Sequence, residues 1–260
     1  ILISKILNMF EIFILSFVQG ITEFLPVSSS SHLIIISKIL NFKLQSLLLD
    51  VSLHIGSFLA IIYYFKNDLI LFYKKKIFFL LILVSSLPVI IIGFIIVKLN
   101  LIDKIRAIEI IGWMTIIFGA ILYISDRFKS KNTIRNNFNL KSALIIGFVQ
   151  ALALIPGVSR SGVVITISRF LGYNRIDAAK ISFYLSIPTL AAVSLYGFYE
   201  ISKLPEFKIS QLNLISISLS FLFSYITIKC FLMYLKKYNL NIFIIYRIIL
   251  GVIILTYAYI

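Results

Sequence analysis

The stretches FVQGITEFLPVSSSSH (residues 17–32) and FVQALALIPGVSRSGV (residues 148–163) are near-copies of one segment, 131 positions apart in the chain. Each copy is apolar up to a proline and then breaks into serines. The first copy adds Glu23 and His32, and the second adds Arg160. A duplicated polar break inside a very apolar chain predicts one active site, assembled from two halves within a membrane.

The composition indicates an integral membrane protein. The 260 residues are 60% apolar with a mean hydropathy of +1.05, whereas soluble domains are about 45–50% apolar. A net charge of +15 would favour nucleic-acid binding in a soluble protein. Here the basic residues lie in short loops between apolar stretches, so we expect contacts with anionic membrane lipids and no nucleic-acid partner. Ile1 as the first residue indicates a non-Met start codon or a truncation.

The apolar stretches predict an all-α, polytopic fold. A span takes about 20 residues to cross roughly 30 Å of hydrocarbon. The repeated segments, at about 10–40 and 142–171, each have two apolar halves that we judge too short to cross alone. Because polar backbone at membrane depth must be covered by protein or a water-filled cavity, we predict two re-entrant helix hairpins. The six predicted transmembrane helices are at about 48–65, 77–97, 108–125, 181–199, 211–234 and 242–259.

The order of these segments predicts a single membrane domain built as an inverted repeat. Its halves, at about 10–125 and 142–259, each contain one hairpin followed by three spans. Three is odd, so the second half is inverted relative to the first. Lysines and arginines at 66–76, 127–135 and 229–237 mark those loops as cytoplasmic. The first hairpin then enters from outside and the second from the cytoplasm.

Candidate catalytic groups lie around the first break. Gln19 and Glu23 share one face of a helix, and His32 follows the serines. Placing a carboxylate and an imidazole inside a membrane costs free energy, so such groups are usually functional or paired with a partner. The alternatives are a structural partner of a buried arginine for Glu23 and a satisfied buried histidine for His32. His54, in SLHIGSF, either lines the site or caps a helix.

The second break has the chemistry of an anion site. Its glycines permit a tight turn, its serines can cap the following helix, and a helix N-terminus attracts phosphate. Arg160 adds a planar fork that matches phosphate oxygens. Together the breaks suit phosphoryl transfer, or alternatively a transporter or flippase for lipid phosphate or a small anion. In the last apolar stretch, Tyr246 is interpreted as an interfacial aromatic, and Arg247 as a residue that snorkels or pairs.

The two breaks resemble the undecaprenyl-diphosphate phosphatase family, also called the bacitracin-resistance family. That family carries [EQ]xxxE followed by FLPVSSxxH, and later PGxSRSxxT. Here the motifs stand as QGITEFLPVSSSSH (19–32) and PGVSRSGVV (156–164). The resemblance continues through HIGSFLA, SFYLSIP and YRIILG, so it covers essentially the whole chain.

The resemblance implies hydrolysis of undecaprenyl diphosphate to undecaprenyl phosphate and inorganic phosphate. The enzyme would be a multi-pass protein of the bacterial inner (cytoplasmic) membrane with its active site facing the outer, periplasmic side. It would return the lipid carrier to peptidoglycan synthesis and confer resistance to bacitracin. A divalent cation, Mg²⁺ or Ca²⁺, and a possible homodimer are further expectations.

The motifs assign expected roles to individual residues. Glu23 is the acidic catalytic residue and the expected metal ligand, and His32 and Arg160 are further catalytic groups. Ser29 matches the proposed nucleophile, although attack by water stays open. Gln19 and His54 are expected to support the site. The expected phosphate-binding residues are Ser28, Ser30, Gly157, Ser159 and Ser161.

Three positions depart from the motifs. Gln19 stands where Glu is frequent, and Ser31 replaces a residue that is commonly Gly. Val164 stands where the second motif has Thr, and Thr166 is about 200° away on a helix. We therefore expect one hydroxyl contact to phosphate to be missing.

Overall fold

The chain folds into an all-α bundle, as predicted. The computed structural model describes residues 2–40, 42, 46–74, 76–99, 101, 106–203 and 210–260. Within these ranges there is no β-strand, only an isolated bridge between Asn132 and Tyr173. The helices are α1 (Leu2–Thr22), α2 (Ser29–Ile39), α3 (Leu47–Tyr64), α4 (Lys66–Lys74), α5 (Lys76–Lys98), α6 (Ile108–Asp126), α7 (Ile134–Asn137), α8 (Leu140–Gln150), a 3₁₀ turn (Ala151–Leu154), α9 (Arg160–Phe170), α10 (Arg175–Ser202), α11 (Gln211–Leu235) and α12 (Asn241–Tyr259).

Six of the described helices are long and apolar enough to cross a membrane, namely α3, α5, α6, α10, α11 and α12. They coincide with the six predicted spans, which confirms a multi-pass membrane fold. Side-chain caps start three of them: the Ser46, Asn174 and Ser210 side chains accept backbone N–H groups of the first turn. The largest difference from prediction is at α10, which begins at this Asn174 cap rather than near residue 181.

The two repeated segments start from opposite ends of the bundle. α1 runs in the same direction as α11, because Leu212 packs against the apolar cluster that contains Ile12 while Gly20 lies against Phe223. The approach at Gly20 is so close that a Cβ there would collide with the Phe223 side chain.

The second repeated segment follows the opposite set of helices. α8 runs in the same direction as α5, since Gly147 abuts Ser85 and Leu154 lies beside Gly93. α5 and α10 run in the same direction, because Phe78 contacts Tyr184 and residues of 89–97 and 190–196 line one cavity. α3 instead runs with α11, as the bonds of Ser52 to Asn213 and of Ser57 to Ser224 show. The inverted halves and the re-entrant insertion of both segments in a membrane stay predictions.

The length of α1 differs from the prediction. The helix begins at Leu2 and has 21 residues, about 31 Å at 1.5 Å per residue. Its apolar part, Leu7–Thr22, is nevertheless among the shorter apolar helices and not among the six candidate spans, so the expectation that neither half of the first segment crosses alone stays a prediction. The chain breaks after Thr22, and α2 packs against α1, with Leu33 in the same apolar cluster as Leu15.

Both breaks share one unusual backbone feature. Ser28 has a φ of 75° and Ser159 a φ of 71°, and they are the non-glycine residues with positive φ in the described ranges. Each precedes the first residue of the second helix of its segment, α2 or α9. They also correspond at the 131-residue offset of the repeat. Such strained residues persist only where surrounding contacts hold them, and they are frequent at active sites.

The C-terminal end of the second segment is fixed by Arg169. Its guanidinium donates to the carbonyls of Asp126 and Phe128, at 2.9 and 2.7 Å, and to the carbonyl of Tyr173 at 2.6 Å. The Asp126 carboxylate in turn accepts two hydrogen bonds from Arg175. This network joins α6, α9 and α10 at the end of the bundle away from the breaks.

Candidate active site

A cavity of about 490 Å³ lies where the two breaks meet α3, α5 and α10. One part of its wall is polar and comes from both breaks and from His54. The other part is apolar and comes mainly from α5, between Val89 and Val97, and from α10, between Leu190 and Val193. Arg106, exposed before α6, also lines the cavity. The cavity therefore suits an amphipathic ligand with an anionic head.

The Glu23 carboxylate is the centre of the polar part. Its side chain is 6% exposed, and its Oε1 accepts a hydrogen bond of 2.8 Å from Arg160 Nη2. Oε2 accepts from Ser29 Oγ at 2.7 Å and from Gln19 Nε2 at 3.1 Å. Glu23 is thus paired with a buried arginine, one of the alternatives open from the sequence. The same contacts make it a potential base for the Ser29 hydroxyl, so the two interpretations are compatible.

Local helix geometry brings these groups together. Gln19 and Glu23 are one turn apart at the end of α1, where the Glu23 N–H still donates to the Gln19 carbonyl at 3.0 Å. Ser29 is the first residue of α2 and Arg160 the first of α9. Residues at the ends of helices facing a common break converge on one point. The ion pair between Glu23 and Arg160 therefore links the two halves of the chain.

His54 joins the same cluster from α3. Its Nδ1 lies 3.1 Å from Gln19 Nε2 and 4.0 Å from Glu23 Oε2. Because an amide nitrogen can only donate, Nδ1 accepts and the neutral ring carries its proton on Nε2. His54 lines the cavity, which is the supporting position expected for it.

The guanidinium of Arg160 is held in place from a second direction. Its Nη1 donates to the Ser182 carbonyl of α10 at 3.3 Å. Arg160 still lines the cavity, and its side chain is 14% exposed. The remaining N–H groups of the fork are therefore available to a ligand in the cavity.

The predicted phosphate-binding residues separate into two groups. Ser28, Ser30 and Ser159 line the cavity, as does Ser29. Ser161 instead contacts the first break, where its Oγ donates to the Leu25 carbonyl at 2.5 Å.

Gly157 lies on the far side of the second break. Its φ is 96°, and a Cβ there would lie 2.5 Å from the Ile111 carbonyl oxygen of α6. Only glycine fits this close approach with that backbone. Gly157 and Ser161 therefore shape the second break, whereas the serines on the cavity wall are placed to contact a ligand.

His32 is not among the described residues that line the cavity. Its Nδ1 lies 2.6 Å from the Ser28 carbonyl oxygen, and its Nε2 lies 2.5 Å from the hydroxyl of Tyr246. The two rings are also stacked, with centroids 5.7 Å apart. The interpretation of Tyr246 as an interfacial aromatic missed this contact. The only sequence signal for it is a phenol beside an arginine inside an apolar span.

Arg247 neither snorkels nor pairs with a carboxylate of the described residues, contrary to expectation. It is fully buried, and its guanidinium donates to backbone carbonyls from three places in the chain. One is Pro26 in the first break, at 3.3 Å. The others are in the second break and in α6, at Gly157 (2.8 Å), Val158 (3.1 Å), Thr115 (3.2 Å) and Met114 (3.5 Å).

These contacts show what holds the two breaks together. A single side chain of α12 bonds the carbonyls of both. A peptide unit whose carbonyl faces Arg247 directs its N–H to the opposite side. The carbonyl of Val158 is bound in this way, so the N–H of Ser159 is directed away from Arg247.

The donor set fits a divalent cation only in part. Within the described ranges there is no group of three or more His, Cys, Asp or Glu residues that could hold a metal ion. Glu23 is the acidic residue among the described residues that line the cavity. Mg²⁺ is commonly held by one or two carboxylates together with substrate phosphates. Glu23 fits that kind of site, and its role as a metal ligand stays a prediction.

Val164 lies away from the cavity. It is fully buried in the hydrophobic core beside residues such as Val163 and Ile165. Thr166 donates its hydroxyl to the Gly162 carbonyl at 2.8 Å, so it does not replace a motif threonine. A threonine at position 164 in this backbone would face the core, and the expected loss of a hydroxyl contact to phosphate gains no support from the structure.

Comparison with known proteins shows the family of this chain. A protein from Pelagibacter ubique named undecaprenyl-diphosphatase is 47% identical over 253 residues, covering 97% of this chain and 98% of the relative. A protein of the same name from Jannaschia sp. is 38% identical over 266 residues, covering 97% of this chain and 100% of the relative. The family described as "Bacitracin resistance protein BacA" matches residues 12–253. The chain therefore belongs to the bacitracin resistance protein BacA family.

Proposed function

We propose that this protein is a membrane phosphatase that hydrolyses undecaprenyl diphosphate to undecaprenyl phosphate and inorganic phosphate. The observation that carries the proposal is the triangle of Ser29, Glu23 and Arg160 on the wall of an amphipathic cavity. A hydroxyl at 2.7 Å from a carboxylate, with an arginine on the same carboxylate, is the arrangement of an activated nucleophile beside an anion site. The relatives that match this chain over nearly their whole length carry the name of that activity.

The two parts of the cavity wall suit the two parts of this substrate. The diphosphate lies over Arg160 and the serines of both breaks. The first isoprene units lie along the apolar wall formed by α5 and α10. Much of α5 faces outward, with Ile91 and Phe94 more than half exposed. The rest of the lipid can therefore stay in the membrane while the head group occupies the cavity.

The geometry favours a covalent route through Ser29. Ser29 Oγ attacks the terminal phosphorus while Glu23 takes the hydroxyl proton. The bond from this phosphorus to the bridging oxygen breaks, and undecaprenyl phosphate leaves with the electron pair. Arg160 and the N–H groups at the start of α9 stabilise the charge that develops on the transferred group.

A second step regenerates the enzyme. Water adds to the phosphorus of phosphoserine 29 and Ser29 Oγ leaves. One water proton goes to Ser29 Oγ, and the other stays on the released phosphate. Glu23 gives the proton that it took in the first step to solvent. In the alternative route, water rather than Ser29 attacks the diphosphate, and Glu23 deprotonates that water.

A divalent cation, Mg²⁺ or Ca²⁺, belongs to the proposal as a partner of Glu23. When bound it would neutralise phosphate charge, with the substrate supplying further ligands. We further propose that the cavity faces the outer side of the bacterial inner membrane. It reaches Val97 and Tyr196, towards the ends of α5 and α10 that the predicted alternation of the spans places outside. The enzyme would then recycle the lipid carrier for peptidoglycan synthesis, with resistance to bacitracin as a consequence.

The test is phosphate release from undecaprenyl diphosphate by detergent-purified protein. The wild type should release phosphate, and Ser29→Ala should lower kcat by at least about a thousandfold, as for loss of a nucleophile that acts with its base. Ser218→Ala is the matched control, because Ser218 is exposed on α11 and bonds only within its helix. Radiolabelled terminal phosphate trapped on Ser29 supports the covalent route, and undiminished hydrolysis in Ser29→Ala refutes it.

The same preparation distinguishes the enzyme from a transporter. Reconstituted wild-type protein that moves lipid phosphate across vesicles but releases no phosphate would refute the phosphatase and favour the transporter. Loss of phosphate release in Glu23→Ala with lipid movement intact would support the phosphatase.

A further inference from the structure

We infer that Tyr246 is a positioning residue of this active site: its hydroxyl fixes the tautomer of His32, and His32 in turn holds the Ser28 carbonyl and the serine turn that presents Ser29. The inference rests on the proposed function. It assigns a role to a tyrosine 214 positions away from His32 in sequence. It also gives His32 a role in holding backbone rather than in transferring protons.

The hydrogen bonds determine the tautomer. A carbonyl oxygen can only accept, so the 2.6 Å contact with the Ser28 carbonyl requires a proton on His32 Nδ1. The neutral ring then has a lone pair on Nε2. The Tyr246 hydroxyl, 2.5 Å away, donates to that lone pair. Both ring nitrogens are thereby occupied, and the two ring planes lie within 9° of parallel.

The conformation of the Ser28 peptide determines where Ser29 lies. Ser28 has a φ of 75° and a ψ of 94°, outside the conformations that a serine ordinarily adopts. Its side chain makes no capping bond to α2 and instead contacts Ser31 Oγ at 2.9 Å. The next residue is Ser29, whose Oγ must meet Glu23. A bond that holds the Ser28 peptide in this conformation therefore also sets the position of the nucleophile.

The second break shows how the same turn is held without a histidine. Ser159, the counterpart of Ser28, accepts a bond of 3.1 Å from the Gly162 N–H with its own side chain. Ser28 lacks such a cap, and His32 supplies the missing restraint from outside. His32 therefore replaces a side-chain cap at the break that carries the nucleophile.

A role as the proton acceptor would need a different arrangement. The acceptor must reach the proton that it takes, directly or through one water. Ser29 Oγ already donates to Glu23, and His32 is not among the described residues on the cavity wall. A base would also need a free lone pair, whereas that of His32 is occupied by Tyr246.

Substitution of His32 separates the two roles. In His32→Asn, the amide nitrogen takes the place of Nδ1 and can still donate to the Ser28 carbonyl, but the side chain cannot act as a base. We expect His32→Asn to keep kcat within about tenfold of wild type and His32→Ala to lose about a hundredfold or more, the latter because a strained turn loses its restraint. An asparagine variant as inactive as the alanine variant, although equally well folded, would overturn the inference.

Tyr246→Phe tests the other end of the contact. It removes only the hydroxyl, so we expect kcat to fall about fivefold to tenfold, as for one hydrogen bond, with KM unchanged. The effects of Tyr246→Phe and His32→Ala should not add in the double variant, because both act through one restraint. Tyr257→Phe is the matched control on the same helix, with an exposed ring. An unchanged kcat in Tyr246→Phe, or additive effects, would refute the inference.

A spectroscopic measurement tests the inference without any activity. The chain contains two histidines, so His54→Asn leaves His32 as the only imidazole. Nitrogen-15 chemical shifts of labelled histidine in that variant should show the proton on Nδ1, and the Nε2 signal should shift when Tyr246→Phe is added. A proton on Nε2 would refute the inference. This result stands even if the wild-type protein releases no phosphate, an outcome that would refute the proposed function alone.

Discussion

Replacement of Arg160 by lysine isolates the geometry of the anion site from its charge. Arg160 Nη2 donates to Glu23 at 2.8 Å and Nη1 donates to the Ser182 carbonyl at 3.3 Å, so the other N–H groups of the fork are free for phosphate. Lysine keeps the positive charge but offers one nitrogen. It can pair with Glu23 or contact the transferred phosphoryl group, but it cannot do both in a fixed geometry.

The expected magnitude follows from that loss. Removing one preorganised donor from a transition-state site costs about 10²–10³ in kcat. At about 1.36 kcal/mol for each factor of ten, this is about 2.7–4 kcal/mol of transition-state stabilisation. Folding stability should change little, because Glu23 keeps a cationic partner. Arg160→Ala, in contrast, leaves a buried carboxylate unpaired, which typically costs about 3–5 kcal/mol of stability.

The assay is phosphate release across a range of substrate concentrations, with a melting curve of each variant in the same detergent. Arg160→Lys should show the loss in kcat and a melting temperature close to wild type. Arg135→Lys, at an exposed position in α7, is the matched control for the chemical change itself. A fall in kcat of less than about threefold, too small for a lost donor, would refute the role of the guanidinium fork.

Two further predictions concern the edge and the surroundings of the cavity. Arg106→Ala should raise KM about threefold to tenfold while kcat stays within about twofold, because an exposed cation attracts the anionic head group without contacting the reacting atoms. The difference in KM should shrink in high salt, and a salt-independent change would contradict this explanation. Val164→Thr should lower the free energy of unfolding by about 1–3 kcal/mol in melting experiments, since it places a hydroxyl in the hydrophobic core. It should not raise kcat, and a faster enzyme would show that position 164 does face the substrate.

Hydropathy was sufficient to predict the fold of the described residues. The apolar stretches that predict spans are long and end at charges or capping residues, so the boundaries were within a few residues except at the start of α10. There the cap at Asn174 lets the helix begin at Arg175, about one and a half turns before the predicted apolar stretch. α1 begins at Leu2 rather than near residue 10, because Lys5 and Glu11 interrupt the hydrophobicity without preventing a helix.

The site was predictable only where contacts are local or repeated. Glu23, Ser29 and Arg160 lie at the helix ends of a duplicated motif, so sequence reasoning placed them together. The contact of His32 with Tyr246 depends on how α12 is rotated against α2, which spacing along the chain does not encode. The directions of Gly157 and Ser161 were missed for a related reason: an irregular backbone has no fixed period, so spacing along the chain does not tell which residues around the break face the cavity.

The bonds of Arg247 have a consequence for how this protein is made. α12 follows both breaks in the chain, so a ribosome synthesises Pro26 and Val158 well before the side chain that joins their carbonyls. Until that helix has entered the bilayer, the carbonyls at the two breaks lack their shared cation. The nascent chain therefore passes most of its insertion without a finished catalytic centre, and the order of translation delays activity until α12 is in place.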